Sequence, residues 1–151
     1  MAGIKTARAH FEGGMRFTAE AGSGHRLAMD TADELEGGQN SGFSPMELPL
    51  VALIGCVGMD VMSILRKQRQ EVTGYDLAVR GTRAEEHPQV FTAITVEHTI
   101  TGRDLQRPAV ERALELSRTR YCSVSAMLGK TAEITHVLTL VEAPASTAAG
   151  S

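Results

Sequence analysis

The chain has 151 residues, enough for one domain that buries a hydrophobic core. Its 15 basic and 18 acidic residues give a formal net charge of −3, and no basic cluster or row of aromatic residues stands out, which argues against nucleic-acid binding. Because 42% of the residues are apolar but only 4% are aromatic, the core must be built from aliphatic side chains, Met and Ala.

The sequence also argues against a membrane protein. Residues 1–14 are too polar for a signal peptide. The apolar run Leu48–Leu65 is about long enough to cross a bilayer, but it contains Pro49, Asp60, Ser63 and two glycines. A buried helix of a soluble protein is the better interpretation. We therefore predict a cytoplasmic protein whose cysteines stay reduced, with any disulfide transient or catalytic.

The N-terminal part has the pattern of a β-meander. Residues 4–30 contain short apolar segments separated by glycine-rich turns. In the third segment His25, Leu27 and Met29 alternate with other residues, so the pattern places His25 on a face with two apolar side chains. Residues 31–43 are polar and rich in glycine, which predicts a flexible loop.

A long helix is predicted to begin near Ser44. Ser44 can cap it, Pro45 suits its first position and Glu47 completes a capping box, a feature that stabilises a helix by about 1 kcal/mol. The helix should end near Arg69, and its first five turns are apolar nearly all round. One domain of this size cannot easily cover such a helix, which suggests a dimer whose interface covers part of it.

The C-terminal part alternates between strand and helix patterns. Two strands, a helix that opens at Pro108, a short helix after a break near Tyr121 and a last strand are expected. No repeat or second domain is evident, so residues 1–142 are predicted to form one domain and residues 143–151 a disordered tail. The predicted strands and short helix are Tyr75–Val79, Val90–Ile100, Ser123–Leu128 and Thr131–Glu142.

The two cysteines, Cys56 and Cys122, are the candidates for chemistry. Cys122 precedes the short helix, where backbone N–H groups and the helix dipole favour an anion, and Arg118 and Arg120 lie close in sequence. Cys56 lies in mid-helix among apolar residues, so its thiolate needs a cation from elsewhere in the fold. From this pattern alone, the thiols either react with each other or are buried and inert.

Several of these segments resemble one known family. Ser44-Pro-Met-Glu-Leu48 followed by Ala52-Leu-Ile-Gly-Cys56 resembles the motif of the osmotically inducible protein C (OsmC) and organic hydroperoxide resistance family, and Cys122 resembles its second cysteine. The resemblance covers nearly the whole chain. Within the family, the YhfA-like branch is the most similar, on Ser23-Gly-His25, Asp60-Val-Met-Ser-Ile-Leu65, Thr101-Gly-Arg-Asp-Leu105 and Tyr121-Cys-Ser-Val124.

The resemblance implies both a fold and an activity. The implied fold is α+β, an antiparallel N-terminal meander and a second sheet around a long central apolar helix, in an intertwined homodimer. The implied activity is reduction of organic hydroperoxides in oxidative-stress defence. Cys56 would attack the peroxide and become a sulfenic acid, Cys122 would condense with it to a disulfide, and an external dithiol would reduce that disulfide.

Glu47 and His25 are further candidate site residues. In the family, a glutamate at the position of Glu47 pairs with an arginine that steadies the thiolate, but no stretch of this chain matches that arginine. His25 is a candidate substitute, as a cation or a base, although a structural histidine is equally expected. Glu47 lies about 13 Å along the helix from Cys56 and on its far side. The helix must bend, or a partner's helix must supply the carboxylate, unless Glu47 serves only the capping box.

Other functions remain open or have little support. The histidines show no metal-ligand spacing and no glycine-rich phosphate loop is present, so neither a metal nor a cofactor is expected. His98 and His136 fall on strand faces with apolar neighbours and suggest partly buried structural residues. The alternative function is a non-catalytic dimer that binds a small apolar ligand in a pocket lined by methionines, or a redox sensor. The methionines are Met46, Met59, Met62 and Met127.

Overall fold

The computed structural model describes residues 3–144, which divide into two compact units. The N-terminal unit runs to Pro49 and the C-terminal unit begins at Leu50. Most of the predicted tail lies outside the described residues. Ala143 is an exception, because it is buried and its N–H donates to the Gly102 carbonyl at 2.7 Å. The ordered chain therefore extends past the predicted end of the last strand.

The N-terminal unit contains the predicted meander as a three-stranded antiparallel sheet. Glycines at positive φ, among them Gly13 and Gly14, make the tight turn between the first two strands. The strands are β1 (Ala7–Gly13), β2 (Arg16–Ala21) and β3 (Arg26–Met29).

The loop after β3 is held by a buried carboxylate that the sequence pattern did not reveal. Asp30 accepts hydrogen bonds from the backbone N–H groups of Thr31, Gln39 and Ser41 and from the Ser41 hydroxyl. These donors, those of Ser41 foremost, hold the pKa of Asp30 at about 2. The glycine-rich segment is thus folded around Asp30, which corrects the prediction of a flexible loop.

The long helix begins and ends close to its predicted positions. A short 3₁₀ turn, Pro45–Glu47, leads into α1 (Leu48–Lys67), and the Ser44 N–H donates to Glu47 Oε1 at 2.7 Å, as the capping box predicts. Within the chain, α1 buries one stripe with a spacing of four residues, and each of these side chains contributes about 1.5–3 kcal/mol. The stripe consists of Leu53, Val57, Val61 and Leu65.

A second sheet lies in the C-terminal unit, with β5 between β4 and β6. β4 (Glu71–Arg83) pairs with β5 (Phe91–Arg103) as an antiparallel hairpin, so β4 extends beyond the predicted Val79. β5 and β6 (Glu133–Glu142) are parallel, and the connection between them carries the helices that bear Cys122. It consists of α2 (Arg107–Leu116), a π-helical segment (Ser117–Tyr121) and α3 (Ser123–Leu128).

The core is aliphatic, but it is not rich in methionine. Leucine, isoleucine, valine and alanine supply most of the buried apolar side chains, as the composition predicts. The prediction that methionines share in the core is wrong: Met59 is 76% exposed on α1, and Met127 is exposed on α3. The mixed fold with two sheets and one long helix is the predicted α+β class.

Candidate functional site

The fold brings the two cysteines together with a carboxylate. The sulfurs of Cys56 and Cys122 and a carboxylate oxygen of Asp60 all lie within 4.8 Å of one another. Cys56 and Asp60 are one turn apart on α1, so the helix presents both on one face. Cys122 comes from the connection between β5 and β6. Its sulfur is buried, whereas Cys56 is partly exposed.

Two irregular backbone features position Cys122. The π-helical segment ends with a hydrogen bond from the Cys122 N–H to the Ser117 carbonyl at 2.9 Å. Cys122 is then the N-cap of α3, and its sulfur accepts a hydrogen bond from the Ser125 N–H at 3.3 Å. The predicted contact between this thiol and the start of the short helix is confirmed. The π-helical segment replaces the simple break predicted near Tyr121.

Asp60 is oriented by a serine that sequence reasoning did not single out. The Ser117 hydroxyl donates to Asp60 Oδ2 at 3.0 Å, and Ser117 is completely buried. The available signal was a serine among the apolar residues on one side of α2. A serine at such a position needs a buried partner, and Asp60 is that partner.

The surroundings of Cys122 oppose its ionisation. Burial raises the pKa of the Cys122 thiol and the adjacent Cys56 adds to the rise, whereas the hydrogen bond from the Ser125 N–H acts against it. The arginines close to Cys122 in sequence have other contacts. Arg118 pairs with Glu115 at 2.9 Å, and the Arg120 guanidinium lies over the ring of Tyr121. Arg118 and Arg120 were predicted to favour the Cys122 thiolate, but the contacts of their guanidinium groups are with Glu115 and Tyr121 and not with the sulfur.

This arrangement permits two kinds of chemistry. Two thiols at such a separation can form a disulfide after modest movement, since the bonded sulfurs lie about 2.05 Å apart. Two sulfurs and a carboxylate oxygen are also a set of donors for a soft or borderline metal ion. A disulfide and a metal site would each involve both cysteines. The sequence pattern alone did not decide whether the two thiols act together or are inert.

Comparison with known proteins identifies the family. Residues 38–137 match the sequence profile of the family described as OsmC-like protein. The chain belongs to this OsmC-like family. It is 43% identical over 140 residues to Protein YhfA of Escherichia coli K12, a match that covers 91% of this chain and 98% of the relative. The resemblance to the family and to its YhfA-like branch is therefore confirmed.

Solved structures show the same fold. A protein of Aquifex aeolicus is 27% identical, with a TM-score of 0.82, and the match covers 94% of this chain and 99% of that one. The organic hydroperoxide resistance protein OsmC of Legionella pneumophila is 17% identical with a TM-score of 0.70, over 92% and 98% of the two chains. Membership of this family indicates a redox or peroxide-stress function for the OsmC-like chain.

Glu47 and His25 belong to the N-terminal unit of this OsmC-like chain. Glu47 accepts the Ser44 N–H and lines a cavity together with Arg26 and Phe43. His25 directly precedes β3, is exposed, and lies 2.9 Å from the Ser23 hydroxyl through its Nδ1. These contacts are local to the unit, so the assignment of both residues to the thiol site stays a prediction.

A second cavity, about 720 Å³ and open, lies between α1 and β4. Met59 and Met62 line it together with Tyr75 and Leu77, but the other two methionines that the alternative function names, Met46 and Met127, do not. By length and apolar composition, Pro45–Lys67 is the one described helix that could span a membrane, and 22% of its most apolar window is buried within the chain. We interpret it as the core helix of the family's soluble fold.

The predicted structural histidines form a hydrogen-bonded row across the second sheet. The Tyr75 hydroxyl lies 2.6 Å from His98 Nδ1, and His98 Nε2 lies 2.8 Å from His136 Nδ1. Burial lowers the pKa of His98 to about 4, with a further contribution from His136, and burial also lowers that of His136. Both imidazoles are therefore neutral at neutral pH.

Proposed function

We propose that this protein is a thiol peroxidase that reduces organic hydroperoxides. The observation that carries the proposal is the meeting of the chain's two cysteines at one site, within 4.8 Å, in a chain of the OsmC-like family. Support comes from the Legionella pneumophila structure of the same fold, which is named an organic hydroperoxide resistance protein. The function would serve defence against oxidative stress in the cytoplasm.

The proposed cycle has three balanced steps. The Cys56 thiolate attacks the O–O bond, which releases an alcohol and leaves a sulfenic acid on Cys56. The Cys122 thiol then condenses with the sulfenic acid, so that a disulfide forms and water leaves. An external dithiol reduces the disulfide to two thiols and is itself oxidised. Cys56 is assigned the first step because it is the more exposed thiol and follows the family motif.

The test is a challenge of the reduced protein with one equivalent of cumene hydroperoxide under non-reducing conditions. We expect both thiols to be lost and the intact mass to fall by two hydrogens, with a Cys56–Cys122 linkage in the peptide map. Two thiols that survive this dose would contradict the proposal.

The activated thiolate needs a cation, and Arg26 is a stronger candidate than His25. Arg26 carries a permanent positive charge and lines one cavity of the N-terminal unit with Glu47, while its guanidinium pairs with Glu20 at 2.8 Å. We expect Arg26→Ala to slow peroxide consumption about a hundredfold, the usual loss for one electrostatic contact to a reacting group. Arg8→Ala is the matched control, because Arg8 and Arg26 both pair with Glu20. Equal rates for these two variants, or a slow His25→Ala, would reject Arg26.

We also propose that the chain acts as a homodimer. Only part of the apolar surface of α1 is buried by the rest of the chain, and Val51 and Met59 on this helix are exposed. A second copy packed on the open cavity between α1 and β4 would remove this surface from water. Light scattering should therefore give twice the 16.1 kDa of one chain. A mass of one chain at micromolar concentration would exclude a stable dimer.

A further inference from the structure

We propose that the reduced thiol site binds one zinc ion through Cys56, Asp60 and Cys122. This inference concerns the same side chains as the proposed function, but it does not depend on reactivity with peroxide. Sequence spacing gave no metal signal, because the two cysteines lie far apart and no histidine accompanies them. The fold supplies what the spacing lacked by placing three donor atoms within 4.8 Å of one another.

The distances suit a tetrahedral zinc site. Zinc–sulfur bonds of about 2.3 Å at tetrahedral angles place two sulfurs about 3.8 Å apart. The donors of the three residues therefore need to approach by about 1 Å at most. Cys56 and Asp60 lie four residues apart on α1, so both side chains extend from the same face of the helix, and their donor atoms lie within 4.8 Å of the Cys122 sulfur.

The nature of the donors selects the metal. Two thiolates favour zinc over magnesium or calcium, which prefer oxygen ligands, and the carboxylate completes a three-residue set. In the C-terminal unit, no described lysine or arginine forms an ion pair with Asp60. Without a cation, three potentially anionic groups face one another in a partly buried place, and a divalent ion would neutralise two of the three charges.

Two further contacts fit a metal site. The buried Ser117 hydroxyl donates to Asp60 Oδ2 at 3.0 Å, which is how outer residues usually orient a ligand carboxylate. Ser125 is 6% exposed, and its hydroxyl has no hydrogen-bond partner among the described residues. Three protein ligands leave a fourth position for water on zinc, and the Ser125 hydroxyl beside Cys122 is a free partner for that water or for the thiolate.

Binding and oxidation would exclude each other. Zinc binding displaces a proton from each thiol, whereas a disulfide removes both thiolate ligands. The metal would therefore protect the reduced site and block attack on a peroxide until a chelator removes it. The protein would thus bind zinc only in the reduced state.

The test is titration of the reduced, metal-free protein with Co²⁺, followed by displacement with Zn²⁺ in the presence of a chromogenic chelator. We expect one Co²⁺ per chain with the visible bands of tetrahedral thiolate coordination, and no binding after oxidation to the disulfide. Loss of a residue that only orients a zinc ligand lowers affinity about 10- to 100-fold, so Asp60→Asn should weaken Zn²⁺ binding at least tenfold. Asp76→Asn, the same change at an exposed carboxylate of β4, should have no effect.

Each result decides the proposal separately from the peroxidase function. Undiminished Zn²⁺ affinity in Asp60→Asn, or Co²⁺ binding by the oxidised protein, would overturn the site. If circular dichroism shows that Asp60→Asn does not fold, Ser117→Ala provides the second test. We expect Ser117→Ala to weaken Zn²⁺ binding, whereas the Asp76→Asn control should not. Protein that binds Zn²⁺ but keeps both thiols after the hydroperoxide dose would support the metal site and reject the peroxidase. Protein that reacts with the peroxide but binds no Zn²⁺ would do the reverse.

Discussion

Replacement of Cys56 by serine is expected to reduce peroxide consumption about a thousandfold or more, to the uncatalysed background. Serine keeps the size of the side chain but removes the thiolate, which is the group that attacks the O–O bond. No other group in the site can replace the nucleophile, so removing it lowers the rate about as much as removing all the catalytic residues together. Consumption of cumene hydroperoxide with a recycling dithiol measures this directly, and circular dichroism checks the fold.

Replacement of Cys122 by serine is the matched variant, and its expected outcome differs in kind. The first step remains, so one equivalent of peroxide should be consumed and a sulfenic acid should accumulate on Cys56, visible as a gain of one oxygen in the intact mass. Turnover should then stop or become slow, because no neighbouring thiol forms the disulfide. Full turnover by Cys56→Ser would show that Cys56 is not the attacking thiol. If Cys122→Ser failed to consume the first equivalent of peroxide, Cys122 would have a role in the first step.

The parts of the site that were predictable are those set by local sequence. The capping box at Ser44 and Glu47 and the position of Cys122 before a short helix depend on residues within a few positions of each other. Backbone geometry makes such signals readable, since the first N–H groups of a helix need nearby acceptors. The order of strands and helices followed from periodicity in the same way. Strand ends were less accurate, because pairing with β5 extends β4 to Arg83.

What could not be predicted depends on tertiary contacts. Asp60 follows Cys56 by one helical turn, but its partner Ser117 comes from a distant part of the chain. The parallel pairing of β5 and β6, which returns the chain and so places Cys122 beside α1, leaves no local signature. His98 and His136 were expected on strand faces, but not as partners, because their contact depends on the register between those strands. The candidate thiol site is therefore formed by contacts between segments that lie far apart in the sequence.

The row of histidines leads to a prediction about acid stability. His98 is 1% exposed and its pKa is about 4 in the folded chain, compared with 6.5 when unperturbed. Between these values the unfolded chain binds a proton that the folded chain refuses, so stability is lost as the pH falls from about 6.5 towards 4. Because a tenfold preference for the neutral form corresponds to about 1.4 kcal/mol, the loss from His98 approaches roughly 3 kcal/mol at pH 4.

His98→Gln isolates this contribution, because glutamine can still bond to Tyr75 or His136 but does not titrate. Urea unfolding at a series of pH values from 7 to 4 gives the free energy of unfolding at each pH. The slope of this free energy against pH should be shallower in the variant, by the equivalent of one bound proton. Its stability at pH 7 should fall by only about 1 kcal/mol, the usual contribution of one altered hydrogen bond. His87→Gln, at an exposed loop position, is the control and should keep the slope of the unmodified protein. Equal slopes for all three proteins would mean that His98 accepts its proton in the folded state, and that the buried row adapts to a charge.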